Sequence, residues 1–235
     1  MTGISVVIPT YNEAAVIAGL IHTVVEEVSP LEEIIVADDD SPDGTWRVVE
    51  ELARVDPRIK LIRRRARRGL AASIAEGIAA CRGTHVFWFD ADFCSPAGTL
   101  AALCAARGDA DIVFASRYAA GGRDGRRERW RAWVSAIFNR WARAMLATRS
   151  RDLTSGQAIV RRKVFETVSL RGEYGEYFIR FIAEAERGGW SVREMPFTTF
   201  SRPDGDSKSV TNPGVFLRHG ARYMATVIAV RAHRS

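Results

Sequence analysis

Short apolar runs that alternate with helix-like stretches constrain this chain more than any other feature. Residues 4–9, 33–37, 59–62, 84–89 and 111–115 read as strands. Their apolar residues stand at consecutive positions rather than at every second one, the pattern of strands buried on both faces. Between them, residues 13–28, 45–55, 70–81 and 96–107 place apolar side chains at helical spacing, with Pro96 near the first turn of the last stretch. Strand and helix in alternation predict an α/β fold, with a mostly parallel central sheet flanked by helices. The 235 residues are 47% hydrophobic and suffice for a sizeable core. No repeat or low-complexity linker interrupts them, so residues 1–235 are expected to form a single domain. No GxGxxG follows the first strand, which argues against a dinucleotide-binding fold.

Beyond residue 115 the pattern changes. Residues 118–129 are rich in Gly and Arg and read as a mobile loop, followed by an amphipathic helix over 130–146. In that helix Trp130, Trp133, Val134, Ile137, Phe138, Trp141 and Met145 recur at helical spacing, interleaved with Arg131, Arg140 and Arg143. A tryptophan stripe suits a core, and tryptophan beside arginine suits a membrane interface; both readings stand. A short strand at 158–160, a helix from 163, a helix over 177–187 and a strand at 192–195 stopped by Pro196 come next. Residues 201–213 read as a loop, and 215–230 as a last amphipathic helix.

The net charge is +6 and its excess is clustered arginine. Arg63-Arg64-Arg65-Ala66-Arg67-Arg68 is one block, of which Arg63 to Arg67 reads as a solvated or membrane-facing patch; residues 123–131 hold another. Such blocks suit phosphates or an anionic membrane surface. No zinc-finger or RNA-binding signature accompanies them, so no nucleic-acid partner is expected. No apolar run approaches the ~20 residues that span a bilayer. Cys81, Cys94 and Cys104 form no metal-ligand pattern, and with no visible leader the odd count suggests a reducing, cytoplasmic setting.

Three polar clusters end strands: Thr10-Tyr11-Asn12-Glu13, Asp38-Asp39-Asp40-Ser41 and Asp90-Ala91-Asp92. In a parallel sheet they share the edge where ligands bind. Asp90 and Asp92 would point to opposite faces of an ideal strand, and converge only if the chain turns, as Ser95-Pro96 allows. Two converging carboxylates repel unless a cation lies between them, and a hard divalent ion bridging nucleotide phosphates is the natural candidate. Part of the run 38–43 is expected to form an Asx turn, with Asp43 the best cap for the next helix.

Taken in order, Val7-Ile8-Pro9-Thr10-Tyr11-Asn12-Glu13, Asp38-Asp39-Asp40-Ser41-Pro42-Asp43-Gly44-Thr45, Asp90-Ala91-Asp92, Ser116-Arg117-Tyr118, Asp152-Leu153-Thr154-Ser155-Gly156 and Gly205-Asp206-Ser207-Lys208-Ser209 resemble the GT-A fold, family 2 glycosyltransferases, and within them the polyprenyl- or dolichol-phosphate mannosyltransferases. The resemblance implies a nucleotide-sugar donor, usually GDP-mannose, a polyprenyl phosphate acceptor, and Mg2+ or Mn2+ held by Asp90 and Asp92, with Asp92 the direct ligand. It implies that Pro9, Tyr11, Glu13 and Asp39 hold the nucleoside, with Ala91 beside the nucleotide. Arg117, Arg131, Arg202 and Lys208 would contact phosphates, and Ser135 would donate a hydrogen bond. The stretch 118–148 would then be an acceptor loop and helix, and 201–235 a mobile loop and C-terminal helix, on a protein peripheral to the cytoplasmic face of a membrane. Cys94 stands where relatives usually carry glutamine, Gln157 and Ala158 where an aromatic and a basic residue are frequent, and Arg180 near a common acid.

The chemistry follows from the acceptor. A hydroxyl acceptor needs a general base, and Asp152 and Glu176 are the candidates. A phosphate monoester has its second pKa near ~6 and is mostly dianionic without help, so it needs cations to position it. A metal-assisted, inverting single displacement is expected. The rival expectations are a soluble acceptor, and a non-catalytic module that only binds the nucleotide sugar or membrane.

Overall fold

A computed structural model describes residues 3–66, 68–91, 97–125, 128–200 and 213–233, without the side chains of 200 and 213–217. Its central sheet contains β1 (Ile4–Thr10), β2 (Leu31–Asp38), β3 (Ile59–Arg63), β4 (His85–Trp88), β5 (Ile112–Ser116), β7 (Ala158–Arg161) and β8 (Val192–Pro196), in the order β3-β2-β1-β4-β7-β5-β8. All neighbours run parallel except β7, which lies antiparallel between β4 and β5. The expected mostly parallel sheet is therefore present.

Every residue of β1 is buried, and its side chains alternate between two cores, as a pleated strand requires. Ile4, Val6 and Ile8 pack with α1 (Ile17–Glu27), α2 (Thr45–Val55) and α4 (Thr99–Ala105); Val7 packs on the opposite face with α3 (Leu70–Ala80), α5 (Arg129–Leu146), α6 (Tyr177–Arg187) and α7 (Pro213–Ala232). Each fully buried Ile or Val contributes about 1.5–3 kcal/mol. Close packing on the second face needs Gly77, where a Cβ would meet Val7 Cγ1 at 2.4 Å.

The departures from the sequence pattern have local causes. The first helix begins at Ile17 rather than 13. The amides before it are spent on the β2–α2 loop: Asn12 N donates to Ser41 Oγ (3.0 Å), Glu13 N to Thr45 Oγ1 (2.9 Å) and Ala14 N to Asp43 Oδ2 (3.0 Å). α4 starts late because Gly98, at φ 80°, turns the chain, and the amides of Gly98 and Leu100 donate to Glu27. The helix expected from 163 is only a 3-10 turn, Arg162–Glu166. β8 stops at Pro196 as expected, with the proline as its last residue on an edge strand, where a missing N–H is tolerated. After it comes the unexpected β9 (Thr198–Phe200), parallel to β6 (Arg123–Gly125) inside the stretch read as a loop.

The tryptophan stripe divides. Phe138, Trp141 and Met145 pack on the core, whereas Trp130, Trp133, Val134 and Ile137 are exposed, Trp133 by 69%. α7, packed beside α5, buries Val227 and Val230 and exposes Met224 and Ile228. No helix among the described residues is long and apolar enough to cross a membrane.

Candidate active site

The strand ends meet as the parallel topology requires. At β1 and β2, Pro9 is buried and registers with Ala37, and Thr10 Oγ1 donates to Asp38 Oδ2 at 2.8 Å. Asp38 forms the expected turn by accepting Ser41 N (2.8 Å) and Ser41 Oγ (2.6 Å). Asp43 accepts Thr45 N at 3.0 Å, with Gly44 at φ 85° in the cap position of α2. Glu13 is fixed by its backbone: its N–H reaches Thr45, and its carbonyl accepts from Val16 and Ile17 at 3.0 Å. Tyr11 is exposed; Arg68 Nη1 donates to its hydroxyl at 3.1 Å, and the guanidinium carbon lies 5.0 Å from the ring centroid.

Asp39 is buried at this end. Its Oδ2 accepts Gly69 N at 2.7 Å, and its Oδ1 pairs with Arg64 Nη1. The arginine block is therefore not solvated throughout: Arg65 is exposed, as its composition suggests, but Arg64 is not. Arg64 is 6% exposed and also donates from Nε to Glu76 at 2.7 Å. Arg63 lies 3.6 Å from the Trp46 ring centroid and pairs with Asp40 at 2.5 Å. Their partners come from distant segments, a relation invisible in a run of like charges. The block's position directly after β3, at the ligand edge, was the available signal.

β4 leads into buried Phe89, partly buried Asp90 and buried Ala91. Trp88 Nε1 donates to Tyr177 Oη (2.9 Å), and Tyr177 donates to the carbonyl of Gly156 (3.3 Å). Burial, then the charge of Asp90, holds the Tyr177 hydroxyl well above the usual phenol range. Tyr223 of α7 is raised by burial and by Tyr174, Glu176 and Asp90, and is lowered by Arg117. Tyr223 thus stands within electrostatic reach of both Asp90 and Arg117, a role its place in an amphipathic helix did not announce. Asp92, Cys94, Arg202 and Lys208 lie outside the described residues. No group of three metal-ligating side chains occurs among the described residues. Mg2+ and Mn2+ at nucleotide sites need only one or two carboxylates, the rest being phosphate and water, and the hard oxygens of Asp90 suit that donor set.

The opposite side of the cleft is a buried ionic network. Arg117, following β5, donates from Nε and Nη2 to Asp152 at 2.8 and 2.7 Å, to Thr154 Oγ1 at 2.6 Å, and lies 3.6 Å from Asp124 of β6. Burial opposes both charges, but mutual attraction prevails: Arg117 stays above its ordinary range and Asp152 below its own. Asp152 is thus a structural anion. Glu176, the other candidate base, accepts the amides of Glu173 (3.0 Å) and Tyr174 (3.2 Å). Ser135 Oγ accepts from Tyr118 Oη at 3.0 Å, so its own proton is available to donate. Arg131 lies 3.4 Å from Glu128, with its guanidinium carbon 5.4 Å from the Trp130 ring centroid. Gln157 Oε1 is buried and accepts no hydrogen bond from the described residues.

Comparison with known proteins identifies the family and the fold. The family described as glycosyl transferase family 2 matches residues 5–169. The polyprenol monophosphomannose synthase of Mycolicibacterium smegmatis is 35% identical over 215 residues, covering 86% of this chain and 79% of that protein. The dolichol-phosphate mannosyltransferase of Pyrococcus furiosus is 32% identical over 228 residues, covering 94% of this chain but only 63% of that protein. Among solved structures, glucosyl-3-phosphoglycerate synthase of Mycobacterium tuberculosis, bound to Mn2+, UDP and glucosyl-3-phosphoglycerate, superposes with a TM-score of 0.72 at 18% identity, covering 98% of this chain and 80% of that one. The same enzyme bound to Mg2+ and UDP gives 0.71, again at 18% identity and with 98% and 80% covered. These structures share the GT-A fold. The family match, well over half the chain, and the identity to the M. smegmatis protein establish that the chain belongs to glycosyl transferase family 2 and is a glycosyltransferase.

Proposed function

We propose that this glycosyltransferase moves mannose from GDP-mannose onto a polyprenyl phosphate. The observation that carries the reading is the state of the two candidate bases: Asp152 is locked to Arg117, and Glu176 braces its own loop. A hydroxyl acceptor would need one of them to take its proton. A phosphate oxygen needs neither, because it is already anionic near neutral pH. The names of the M. smegmatis and P. furiosus relatives support the same acceptor class and the same sugar.

In this reading Pro9, Tyr11, Glu13 and Asp39 hold the nucleoside, and Ala91 lies beside the nucleotide. Asp90 and Asp92 would hold Mg2+ or Mn2+. When bound, that ion supplies charge neutralisation to the departing nucleoside diphosphate. Arg131, Arg202 and Lys208 position phosphates by charge-assisted hydrogen bonds, and Ser135 donates its proton to a phosphate oxygen. Arg117 holds the wall behind them and adds positive potential. The acceptor oxygen attacks the anomeric carbon as the bond to the diphosphate breaks, inverting the configuration.

The exposed Trp130, Trp133, Val134 and Ile137 of α5 and Met224 and Ile228 of α7 support docking on an anionic membrane surface, aided by the net charge of +6. The protein is read as peripheral, at the cytoplasmic face.

The test is a screen of labelled sugar nucleotides with polyprenyl phosphate and Mg2+ or Mn2+, read by lipid extraction. Label from GDP-mannose in the lipid phase is expected. Label found only in an aqueous product would sink the lipid acceptor, and preference for another donor would sink the assignment of mannose.

A further inference from the structure

We propose that Arg64 is the positioning residue for nucleobase recognition, holding the Asp39 carboxylate in the orientation that reads the donor's base. This rests on the reading above, in which Asp39 faces the base. The arginine block outside that reading is where the structure departs furthest from its sequence pattern, and Arg64 is its one buried member among the described residues.

Arg64 is pinned from three sides. Its backbone N–H donates to the carbonyl of Asp38 at 2.7 Å, Nη1 pairs with Asp39 Oδ1, and Nε donates to Glu76 of α3 at 2.7 Å. The other Asp39 oxygen takes the Gly69 amide. One donor on each oxygen fixes the plane of the carboxylate and still leaves lone pairs on both. The side chain of Arg64 is 5% exposed and that of Asp39 10%, so water competes little for either. Lysine in place of arginine could not grip Asp39 and Glu76 with one planar fork.

A carboxylate held in this way selects by chemistry. It accepts from a ring N–H, which guanine and uracil present. Adenine and cytosine present a ring nitrogen acceptor at the corresponding edge, and a carboxylate repels it. Arg64 does not touch the ligand; it keeps the reader of that edge in place.

Calorimetric titration of the full chain, with Mn2+ present, tests this using GDP, UDP, ADP and inorganic pyrophosphate. The wild type is expected to bind GDP or UDP above ADP. Arg64→Lys is expected to lose about tenfold or more in affinity for the preferred nucleotide, the range of one charge-assisted hydrogen bond, with pyrophosphate affinity unchanged. Glu76→Gln, at an exposed carboxylate that leaves the buried pair intact, should shift the same ratio less and guards against misfolding of the first variant. Pyrophosphate weakening in step with the nucleotide would show a general structural role and overturn the proposal, as would unchanged nucleotide binding. A wild type that ignores the base would overturn the reading of Asp39 itself. One that binds no nucleoside diphosphate would overturn the donor assignment and this inference together.

Discussion

The two walls of the cleft each hold a buried arginine–aspartate pair, but they are braced differently around it. The wall where β1 and β2 end, proposed to hold the donor, adds to its Arg64–Asp39 pair many short bonds from backbone amides to side chains: Asn12 to Ser41, Glu13 to Thr45, Ala14 to Asp43, Ser41 to Asp38. The wall where β5 ends, proposed to face the acceptor, centres on one buried cation, Arg117, shared by Asp152, Thr154 and Asp124. Redundant hydrogen bonds tolerate single losses, because each contributes about 1 kcal/mol. A buried ion pair does not, because removing one partner strands the other's charge.

This comparison orders the expected effects of mutation. Arg117→Ala should be the most damaging, costing about 3–5 kcal/mol of stability. A melting temperature lower by about 10 °C is the expected reading, and an unchanged melt would deny Arg117 its place as the main support of that wall. Asp92→Ala is expected to cut transfer by about a thousandfold, several kcal/mol of transition-state stabilisation, with the melt unchanged; near-normal turnover would remove Asp92 from the site. The pair Trp133→Ser and Ile137→Ser should weaken binding to anionic vesicles by about tenfold or more and spare turnover of a short-chain, water-soluble acceptor. Equal losses in both assays would place these side chains in the chemistry instead. Ser41→Ala, on the donor wall, is expected to cost only about 1 kcal/mol in a denaturant titration. A cost near that of Arg117→Ala would erase the contrast between the walls.

The contrast extends to pH. The folded-state pKa of Asp152 lies below its ordinary value, so its contribution to stability is complete above the unfolded carboxylate range. It is lost only as pH falls through the depressed folded value. Melting temperature should therefore show no loss from this pair between pH 8 and about pH 5, and an acid-side fall that Asp152→Asn abolishes. A fall already centred near neutrality would point to a different group.

Legibility in the sequence followed how far each relation reaches. β1 to β5 could be read because a strand buried on both faces writes itself as a continuous apolar run. The Asp38 turn and the Asp43 contact with α2 were legible because they close within a few residues. The start of α1 was not, because its first amides bond to residues about thirty positions later. β9 escaped because three residues after a proline carry no period. Arg64 was misread because it finds its partner 25 residues away, and a run of like charge says nothing of what opposes it. The tryptophan stripe left two readings open; the core reading holds for Phe138, Trp141 and Met145, while Trp130, Trp133, Val134 and Ile137 are exposed.

The reversed strand β7 has a consequence for how this cleft can change over time. β4 and β5 run the same way, yet they are separated by one strand, so their ends stand two strand spacings apart, about 10 Å. Asp90 follows one of them and Arg117 the other. The distance between these supports is therefore a ruler cut into the main chain. Mutation can repaint the side chains along it and so trade one sugar or acceptor for another, but no single substitution can move the marks.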